Sequence, residues 1–347
     1  MFIGRRWVAF ESYPPTLSAR FSVVLPVHNG GDYLRQAVQS VLEQTHADWH
    51  LAILENGSDD GTAQWLETLK DPRIAIHAAP QLLSIEENWA RISEVPCGEF
   101  LTLLGHDDLL DPDYLEEMTR LIAEFPEASL YQTQFRLIDA AGNALRSASP
   151  QPEIESAADF LGARLRRERE SFGTGYLMRT RDYRRVGGIP KFRGLLFSDD
   201  ALWLQLMRSG VKATSPRECF AYRTHEGSSS VRASWENHLD AMEEYLVFLR
   251  AICREDAAIE AQFQRHRDYF LWHAHQAYAI ALTGATQSYR RLDEAAIRRF
   301  NAFLSSVDAN WNLKTQQTRG LKLRELINRF AAARVLYNRV QKSRYNL

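Results

Sequence analysis

Almost wholly apolar runs alternate with amphipathic segments over the first 125 residues, and this alternation limits the fold more than any other feature. The runs at residues 21–27, 51–54 and 100–104 suit strands that are buried on both faces. Residues 32–42 follow the first run with apolar side chains at helical spacing. Because parallel strands are joined by helices in right-handed crossovers, the pattern predicts an α/β fold with a mostly parallel central sheet flanked by helices.

The pattern changes after residue 126. Residues 130–139 are rich in β-formers, residues 156–169 and 199–209 have helical spacing, and residues 219–224 suit a short strand. From about residue 235 onward, only helical segments remain. We therefore expect an N-terminal extension (1–20), an α/β domain (21–234) with halves at 21–125 and 126–234, and an all-helical C-terminal region (235–347).

Charge and apolar content exclude several classes of protein. The 42 basic and 44 acidic side chains give a formal net charge of −2, which provides no overall attraction to nucleic acid. The three cysteines are widely spaced and match no metal or disulfide framework, which predicts a reducing compartment. No apolar run approaches the roughly 20 residues of a membrane span, and the start of the chain lacks a signal-peptide core. We expect a cytoplasmic protein.

A basic amphipathic segment ends the chain. Residues 319–347 contain eight Lys or Arg and one acid, Glu325, a net charge of about +7. Leu323, Ile327 and Phe330 recur at helical spacing, which predicts a helix with one apolar face. Such a helix suits peripheral contact with the inner face of an anionic membrane. It equally suits packing on the α/β domain or on another subunit.

Two adjacent acids follow the third apolar run, in the motif Gly105-His106-Asp107-Asp108. They therefore lie at the carboxyl end of a buried strand, the edge at which open α/β sheets bind ligands. Neighbouring carboxylates repel each other, and a divalent cation that bridges to phosphate oxygens relieves the repulsion. The alternative is an acidic turn that only leads into the next helix.

Several further motifs accompany this one in a fixed order. They are Val24-Leu25-Pro26-Val27-His28-Asn29, Glu55-Asn56-Gly57-Ser58-Asp59-Asp60-Gly61-Thr62, Asn88, Gly98-Glu99-Phe100, Gly187-Gly188 and Ser198-Asp199-Asp200. With these motifs, the chain resembles the family 2 glycosyltransferases, which use nucleotide sugars and have the GT-A fold. The resemblance covers about residues 20–230. It implies a nucleotide-sugar-binding half at 21–125 and an acceptor-binding half at 126–234.

By resemblance, one set of residues binds the nucleotide sugar. The set is Pro26, Val27, His28, Asn29, Glu55, Asn56, Asn88, Asp107 and Asp108. The loop after the first strand offers backbone groups to the base and ribose. Family members usually carry Asp-Asp where this chain has Glu55-Asn56, and that carboxylate accepts a hydrogen bond from the base. Because uracil and thymine have an N–H for this bond, the resemblance favours a UDP- or dTDP-sugar.

The resemblance also implies a divalent cation, Mn²⁺ or Mg²⁺. The family's D-x-D motif falls on residues 105–107, where Gly105 replaces the first acid and Asp107 retains the last. We expect Asp107 to be the principal protein ligand, and Asp108 to hold a ribose hydroxyl, a metal-bound water or the loop itself. His225 is a second candidate ligand, with a loop hydrogen bond as the alternative. The missing carboxylate leaves the preference between the two metals open.

A catalytic base and an acceptor pocket complete the implied site. The acceptor hydroxyl loses a proton as it attacks, and a positioned carboxylate takes that proton. We expect Asp200 to be this base, with Asp199 as second choice; the alternative is that both acids only complement the dipole of their helix. Gly173, Thr174 and Trp203 fall where the family places its acceptor, although a core role for Trp203 is equally consistent with the sequence.

These expectations combine into an inverting glycosyltransferase that moves a sugar from a nucleotide-diphosphate sugar to a saccharide or a lipid-linked saccharide, in the synthesis of cell-surface polysaccharide. A nucleotidyltransferase of the same fold fits less well, because the loop at residues 28–31 lacks a basic residue for phosphate. A non-catalytic nucleotide-sugar-binding or scaffold subunit is the alternative from another class. A homo-oligomer stays open, and no nucleic acid partner is expected.

Overall fold

The computed structural model describes residues 17–227 and 233–284, together with residues 299, 302, 303 and 305. Most of the N-terminal extension and the basic tail at 319–347 lie outside these residues. Of the described helices, none combines the length and the apolar character that crossing a membrane requires.

Strands and helices alternate in the first half, as predicted. The elements are β1 (Phe21–Val27), α1 (Gly31–Leu42), β2 (Trp49–Glu55), α2 (Thr62–Leu66), β3 (Ile74–Ile76), α3 (Ile85–Ala90), β4 (Phe100–Leu103), β5 (Leu109–Leu110) and α4 (Tyr114–Glu124). A capping box of Ser84 and Glu87 starts α3, as their spacing indicates. Asp111 lies before α4 without capping it, because its carboxylate pairs with Arg136 instead.

The second half mixes shorter strands with helices. Its elements are β6 (Leu130–Ile138), β7 (Ala144–Ser147), β8 (Ile154–Glu155), α5 (Ala157–Leu165), β9 (Tyr176–Arg179), α6 (Thr180–Arg185), α7 (Ser198–Met207), β10 (Lys212–Arg223), α8 (Trp235–Cys253) and α9 (Ala257–Gly284). The strand expected at 219–224 is longer than predicted. The pairing of this strand with β6 is irregular between Ser215 and Glu218, and the irregularity accommodates Pro216.

One sheet runs through the molecule in the order β3-β2-β1-β4-β9-β6-β10-β5. The pairs among β1, β2, β3 and β4 are parallel, as expected, and so is the pair of β6 with β10. However, β9 inserts between β4 and β6 and is antiparallel to both. The α/β class is therefore confirmed, but the sheet is mixed rather than mostly parallel.

Helices cover both faces of the sheet. On one face, α1 and α4 contribute Leu34, Val38 and Met118 to a buried cluster. On the other face, α5, α7 and α8 form a second cluster that includes Phe160 and Leu202. The C-terminal helices therefore share a core with the α/β domain, and the carboxyl ends of β1, β2 and β4 open onto one common edge.

Candidate active site

A cavity of about 760 Å³ lies at this edge of the sheet. Loops after β1, β2 and β4 form one side, and the start of α7, the segment 193–197 and the first turn of α8 form the other. Most of the residues expected in the site line it, namely Pro26, Val27, His28, Asn56, Asn88, Asp107, Asp108, Gly173, Thr174, Asp199, Asp200 and His225. The structure therefore brings together residues that are separated by up to 200 positions.

Asp107 and His225 meet at one end of the cavity. The His225 Nε2 and the Asp107 Oδ2 are 2.9 Å apart. The Gly227 N–H donates to His225 Nδ1 at 3.1 Å, so Nε2 carries the ring proton and donates it to Asp107. The sequence left two roles open for His225, a metal ligand or a loop hydrogen bond. In the structure, its hydrogen bond to Asp107 joins the end of β10 to the loop after β4.

The chemistry of this pair fits a divalent cation. No group of three or more metal-binding side chains exists within the described part of the chain. Two adjacent ligands at 2.0–2.1 Å from an octahedral ion are about 2.9 Å apart, close to the spacing of His225 Nε2 and Asp107 Oδ2. Such an ion commonly completes its coordination with phosphate oxygens and water. Binding would require the Nε2 proton to move to Nδ1, which would end the hydrogen bond from Gly227.

Asp108 holds the loop, one of the three roles that the sequence left open. Its Oδ2 accepts a hydrogen bond from the Thr174 hydroxyl at 2.6 Å, and its Oδ1 accepts one from the Arg223 N–H at 3.0 Å. Burial, together with the neighbouring Asp107 carboxylate, raises the pKa of Asp108 well above its ordinary value. The Arg223 side chain donates to the Asp107 carbonyl oxygen at 2.7 Å, so it fixes the loop rather than facing a phosphate.

Gly105 is required by the packing of the two acids. A Cβ atom at this position would lie 2.8 Å from an oxygen of Asp107 and 2.8 Å from an oxygen of Asp108. An aspartate in the first D-x-D position would therefore displace both carboxylates in this conformation. Glycine at this position, where the family usually has an aspartate, thus permits the observed positions of the Asp107 and Asp108 carboxylates.

A second acidic pair, in the first turn of α7, lines the same cavity. The Asp200 Oδ2 accepts hydrogen bonds from Arg164 Nε at 2.9 Å and Arg164 Nη2 at 2.7 Å. The Asp200 Oδ1 is buried without a hydrogen-bond partner among the described residues. An unsatisfied buried carboxylate oxygen is costly in a folded protein, so one that lines a cavity points to a ligand group.

Asp199 adjoins this pair and titrates in an unusual range. Its Oδ1 accepts a hydrogen bond from the Asp200 N–H at 2.9 Å. Burial, with repulsion from the Asp200 carboxylate, raises the pKa of Asp199 to about 7, and Arg164 opposes the shift. Asp199 therefore takes up a proton near neutral pH.

Three expected residues do not line the cavity. Asn29 is exposed and exchanges hydrogen bonds with Asp59. Glu55 is buried, and its carboxylate accepts the Ser58 N–H at 2.6 Å, which shapes its own loop. Trp203 is fully buried and stacks on Tyr176, so its ring is part of the core and the expected contact with an acceptor is wrong.

Two of the nucleotide-side residues order the loop that faces them. The Asn56 side-chain amide donates to the Leu83 carbonyl oxygen and accepts from the Leu83 N–H. Asn88 accepts a hydrogen bond from Arg91, which also donates to the Glu55 carbonyl oxygen. This network fixes the loop before α3 at the mouth of the cavity, beside His28, whose Nδ1 contacts the Asn56 carbonyl oxygen.

Sequence reasoning missed Arg164, the segment 193–197 and His238. Arg164 belongs to a helical stretch with several arginines, and nothing in the sequence marks which of them faces Asp200. Leu195 and Phe197 both have positive φ values, 57° and 62°, in the segment that leads into the acidic pair. Such backbone strain at non-glycine residues is concentrated at functional sites, and it has no local sequence signature.

Comparison with known proteins finds a family and individual relatives that match this chain. The model of the family described as glycosyl transferase family 2 matches residues 22–200. TuaG of Bacillus subtilis, which is named as a teichuronic acid biosynthesis glycosyltransferase, is 28% identical over 216 residues. The match covers 60% of this chain and 81% of TuaG.

Solved structures with the same fold are more distant in sequence. S. aureus TarS 1–349 in complex with UDP-GlcNAc has a TM-score of 0.64 at 14% identity, over 92% of each chain. The mannosyltransferase PcManGT of Pyrobaculum calidifontis, in complex with GDP-Man and Mn²⁺, has a TM-score of 0.52 at 15% identity. That match covers 95% of this chain and 90% of the other. Identities this low establish the fold alone, which is the expected GT-A architecture.

Proposed function

Since this chain belongs to glycosyl transferase family 2 and is a glycosyltransferase, we propose that it transfers a sugar from a UDP- or dTDP-sugar to a hydroxyl of a saccharide or lipid-linked saccharide, with inversion at the anomeric carbon. The lining of one cavity by two separate acidic groups carries this proposal. Asp107 lies beside His225 and Asp108 in one group, and Asp199 lies beside Asp200 in the other.

The acceptor side of the reaction rests on Asp200. Its unpartnered Oδ1 accepts the proton of the attacking hydroxyl as the new glycosidic bond forms and the bond to the diphosphate breaks. Arg164 holds the other oxygen through two hydrogen bonds and so orients the carboxylate. Attack from the side opposite the leaving diphosphate inverts the anomeric centre.

The leaving-group side rests on Asp107 and His225. These two residues would hold a divalent cation, Mn²⁺ or Mg²⁺, which supplies neutralisation of the charge that develops on the departing diphosphate. Asp108, Thr174 and Arg223 keep the Asp107 loop in place. The base and ribose are placed at Pro26, Val27, His28 and Asn56, against the loop that Asn56 orders.

Relatives support the choice of donor and pathway. TarS is seen with UDP-GlcNAc, which supports a UDP-sugar, although PcManGT is seen with GDP-Man. TuaG is named for teichuronic acid biosynthesis, and this supports a role in cell-surface polysaccharide synthesis. The Glu55 carboxylate is engaged with Ser58, so base selection falls to the backbone groups around Pro26 and Leu83 rather than to Glu55.

The membrane role of the basic tail at 319–347 stays part of the proposal. Its charge of about +7 would bring a cytoplasmic enzyme to the inner face of an anionic membrane, where lipid-linked acceptors lie. Co-sedimentation with phosphatidylserine vesicles checks this. We expect the full chain to pellet and a variant without residues 318–347 to stay in solution, whereas equal pelleting would contradict a membrane role.

Nucleotide release tests the catalytic proposal. The wild type is incubated with UDP-, dTDP- and GDP-sugars in Mn²⁺, Mg²⁺ or EDTA, alongside the variants Asp107→Asn and Asp200→Asn. We expect release from one donor, dependent on metal and lost in both variants. A wild type that binds none of the nucleotides in calorimetry would instead favour the non-catalytic subunit, which the four clustered carboxylates argue against.

A further inference from the structure

Helix α8 contributes a histidine to the cavity from outside the sequence motifs that predict the site. His238 lies in the first turn of α8 and lines the cavity together with Phe197 and Asp200. None of the roles proposed above uses this residue. It belongs to the helical region after residue 234, which the family model does not reach.

The ring of His238 has a defined orientation, and one of its nitrogens has no partner among the described residues. Its Nδ1 is 3.0 Å from the Ser234 carbonyl oxygen, which only accepts hydrogen bonds, so Nδ1 carries a proton. No residue in the described part of the chain forms a hydrogen bond with Nε2, which has a lone pair in the neutral imidazole.

The position of α8 relative to the catalytic acids is fixed by packing. Tyr245 stacks on Phe197 with ring centroids 5.4 Å apart and planes 7° apart. Glu244 accepts the Arg193 N–H at 2.8 Å, which holds the strained segment that leads into Asp199. His238 and Tyr245 are seven residues apart, so they share a face of α8 about 10 Å apart along its axis.

This placement ties His238 to the helix that carries the proposed base. The expected nucleotide-binding residues lie in or near the loops after β1, β2 and β4, whereas α8 packs on α7, which begins with Ser198, Asp199 and Asp200. His238 and Asp200 line the same cavity, so a group on α8 can meet an acceptor that reaches Asp200. A neutral imidazole nitrogen with a lone pair accepts a hydrogen bond from a hydroxyl, and a saccharide acceptor presents several hydroxyls around the one that reacts.

We propose that His238 is an acceptor-binding residue whose Nε2 accepts a hydrogen bond from a non-reacting hydroxyl of a saccharide. The inference rests on the proposed transferase function and deepens it, because it identifies the acceptor as a polyhydroxylated sugar. The interaction positions the acceptor and takes no part in the transfer of the proton to Asp200.

The test measures glycoside-stimulated nucleotide release with methyl α- and β-hexopyranosides as probes and the donor that the wild type cleaves. We expect His238→Ala to raise the KM for the stimulating glycoside at least tenfold, while the KM for the donor stays within twofold. His238→Gln, which retains an acceptor atom, should recover part of the loss. Glu236→Gln, an exposed change in the same turn of α8, should alter neither KM.

Each other outcome overturns the inference. If His238→Ala matches the wild type, the imidazole does not bind the acceptor. If the donor KM rises as much as the glycoside KM, the effect is structural or lies on the donor side. If no hexopyranoside stimulates a wild type that does hydrolyse its donor, the site does not take a saccharide hydroxyl. Failure of the transferase proposal is distinct, because the wild type would then release no nucleotide from any donor.

Discussion

Arg164 Nη2 and Asp200 Oδ2 lie 2.7 Å apart, although 36 residues separate them in the chain. Arg164 lies in the last turn of α5, and Asp200 lies in the first turn of α7. The pair therefore joins two helices at the wall of the cavity. Both donors from Arg164 contact the same oxygen, which leaves Asp200 Oδ1 unpartnered among the described residues. One oxygen thus joins the two helices, and the other is the atom that we propose accepts the proton of the acceptor hydroxyl.

Replacing the base should stop turnover. We expect Asp200→Asn to lower the rate of nucleotide release by about 10²–10⁴-fold, because an amide accepts no proton from the attacking hydroxyl. Asp199→Asn should cost less, since Arg164 holds the Asp200 carboxylate in position through two hydrogen bonds. Steady-state rates of both variants decide the assignment. A hundredfold loss in Asp199→Asn, with Asp200→Asn above a tenth of wild type, would transfer the role to Asp199.

The acidic pair should give the enzyme a pH dependence near neutrality. The pKa of Asp199 is raised to about 7 by burial and by Asp200, so Asp199 holds a proton below about pH 7 and is negatively charged above it. A negative charge beside Asp200 favours transfer of the acceptor's proton to that carboxylate, so activity should rise with pH through about 7. Asp199→Asn removes the titrating group, and the rise near pH 7 should disappear. A wild-type profile that is flat between pH 6 and 8 would contradict the coupling.

The same pair should make the protein less stable at high pH. Folding raises the pKa of Asp199 from its ordinary 3.8, so the stabilisation by the bound proton is complete below about pH 4 and is lost as the pH rises to about 7. Asp199→Asn keeps the shape without the charge. Its thermal midpoint should exceed that of the wild type by roughly 2 °C or more at pH 8 and by less at pH 5. An equal difference at both pH values would exclude ionisation as the cause.

Much of the nucleotide side of the site is predictable from the sequence because it follows from the strands. Apolar runs identify β1, β2 and β4, and parallel strands place Pro26, Asn56 and Asp107 at one edge. Helix α7 is predictable in the same way, and with it the position of Asp200. These inferences need only local periodicity and the general topology of α/β sheets.

Pairings between distant elements were not predictable. The insertion of β9 between β4 and β6 depends on long-range contacts, and it makes the sheet mixed. Glu55 has a carboxylate that could accept a hydrogen bond from the nucleotide base. In the structure this carboxylate accepts one from the Ser58 N–H of its own loop instead. Trp203 has the residue type of a sugar-stacking platform, but helical periodicity alone does not tell the cavity side of α7 from its core side.

Adding a methyl group at residue 105 should disturb Asp107, a proposed ligand of the divalent cation, without unfolding the protein. In Gly105→Ala the new Cβ atom meets one oxygen of Asp107 and one of Asp108 at 2.8 Å, so both carboxylates must turn away. We expect nucleotide release to fall at least tenfold and the thermal midpoint to fall moderately, because Asp108 gives up buried hydrogen bonds from Thr174 and Arg223. Wild-type activity in this variant would show that the two carboxylates are not held where the reaction needs them.

Removal of the histidine beside Asp107 should weaken the response to metal. The imidazole of His225 lies 2.9 Å from the Asp107 carboxylate, at a spacing that suits two ligands of one ion. We expect His225→Ala to raise the Mn²⁺ concentration that gives half-maximal nucleotide release by about 10–100-fold, the size of effect seen when metal affinity is tuned by neighbouring groups. A variant with lower maximal activity but an unchanged metal midpoint would assign His225 to loop structure alone.

The stereochemistry of donor cleavage most directly tests the proposal that the nucleophile attacks from the side opposite the departing diphosphate. In real-time ¹H NMR, the wild type is given an α-linked nucleotide sugar that it hydrolyses, and the anomeric proton of the first released sugar is recorded before mutarotation. Attack assisted by Asp200 from the side opposite the diphosphate predicts that the β-anomer is released first. Initial release of the α-anomer would contradict the account.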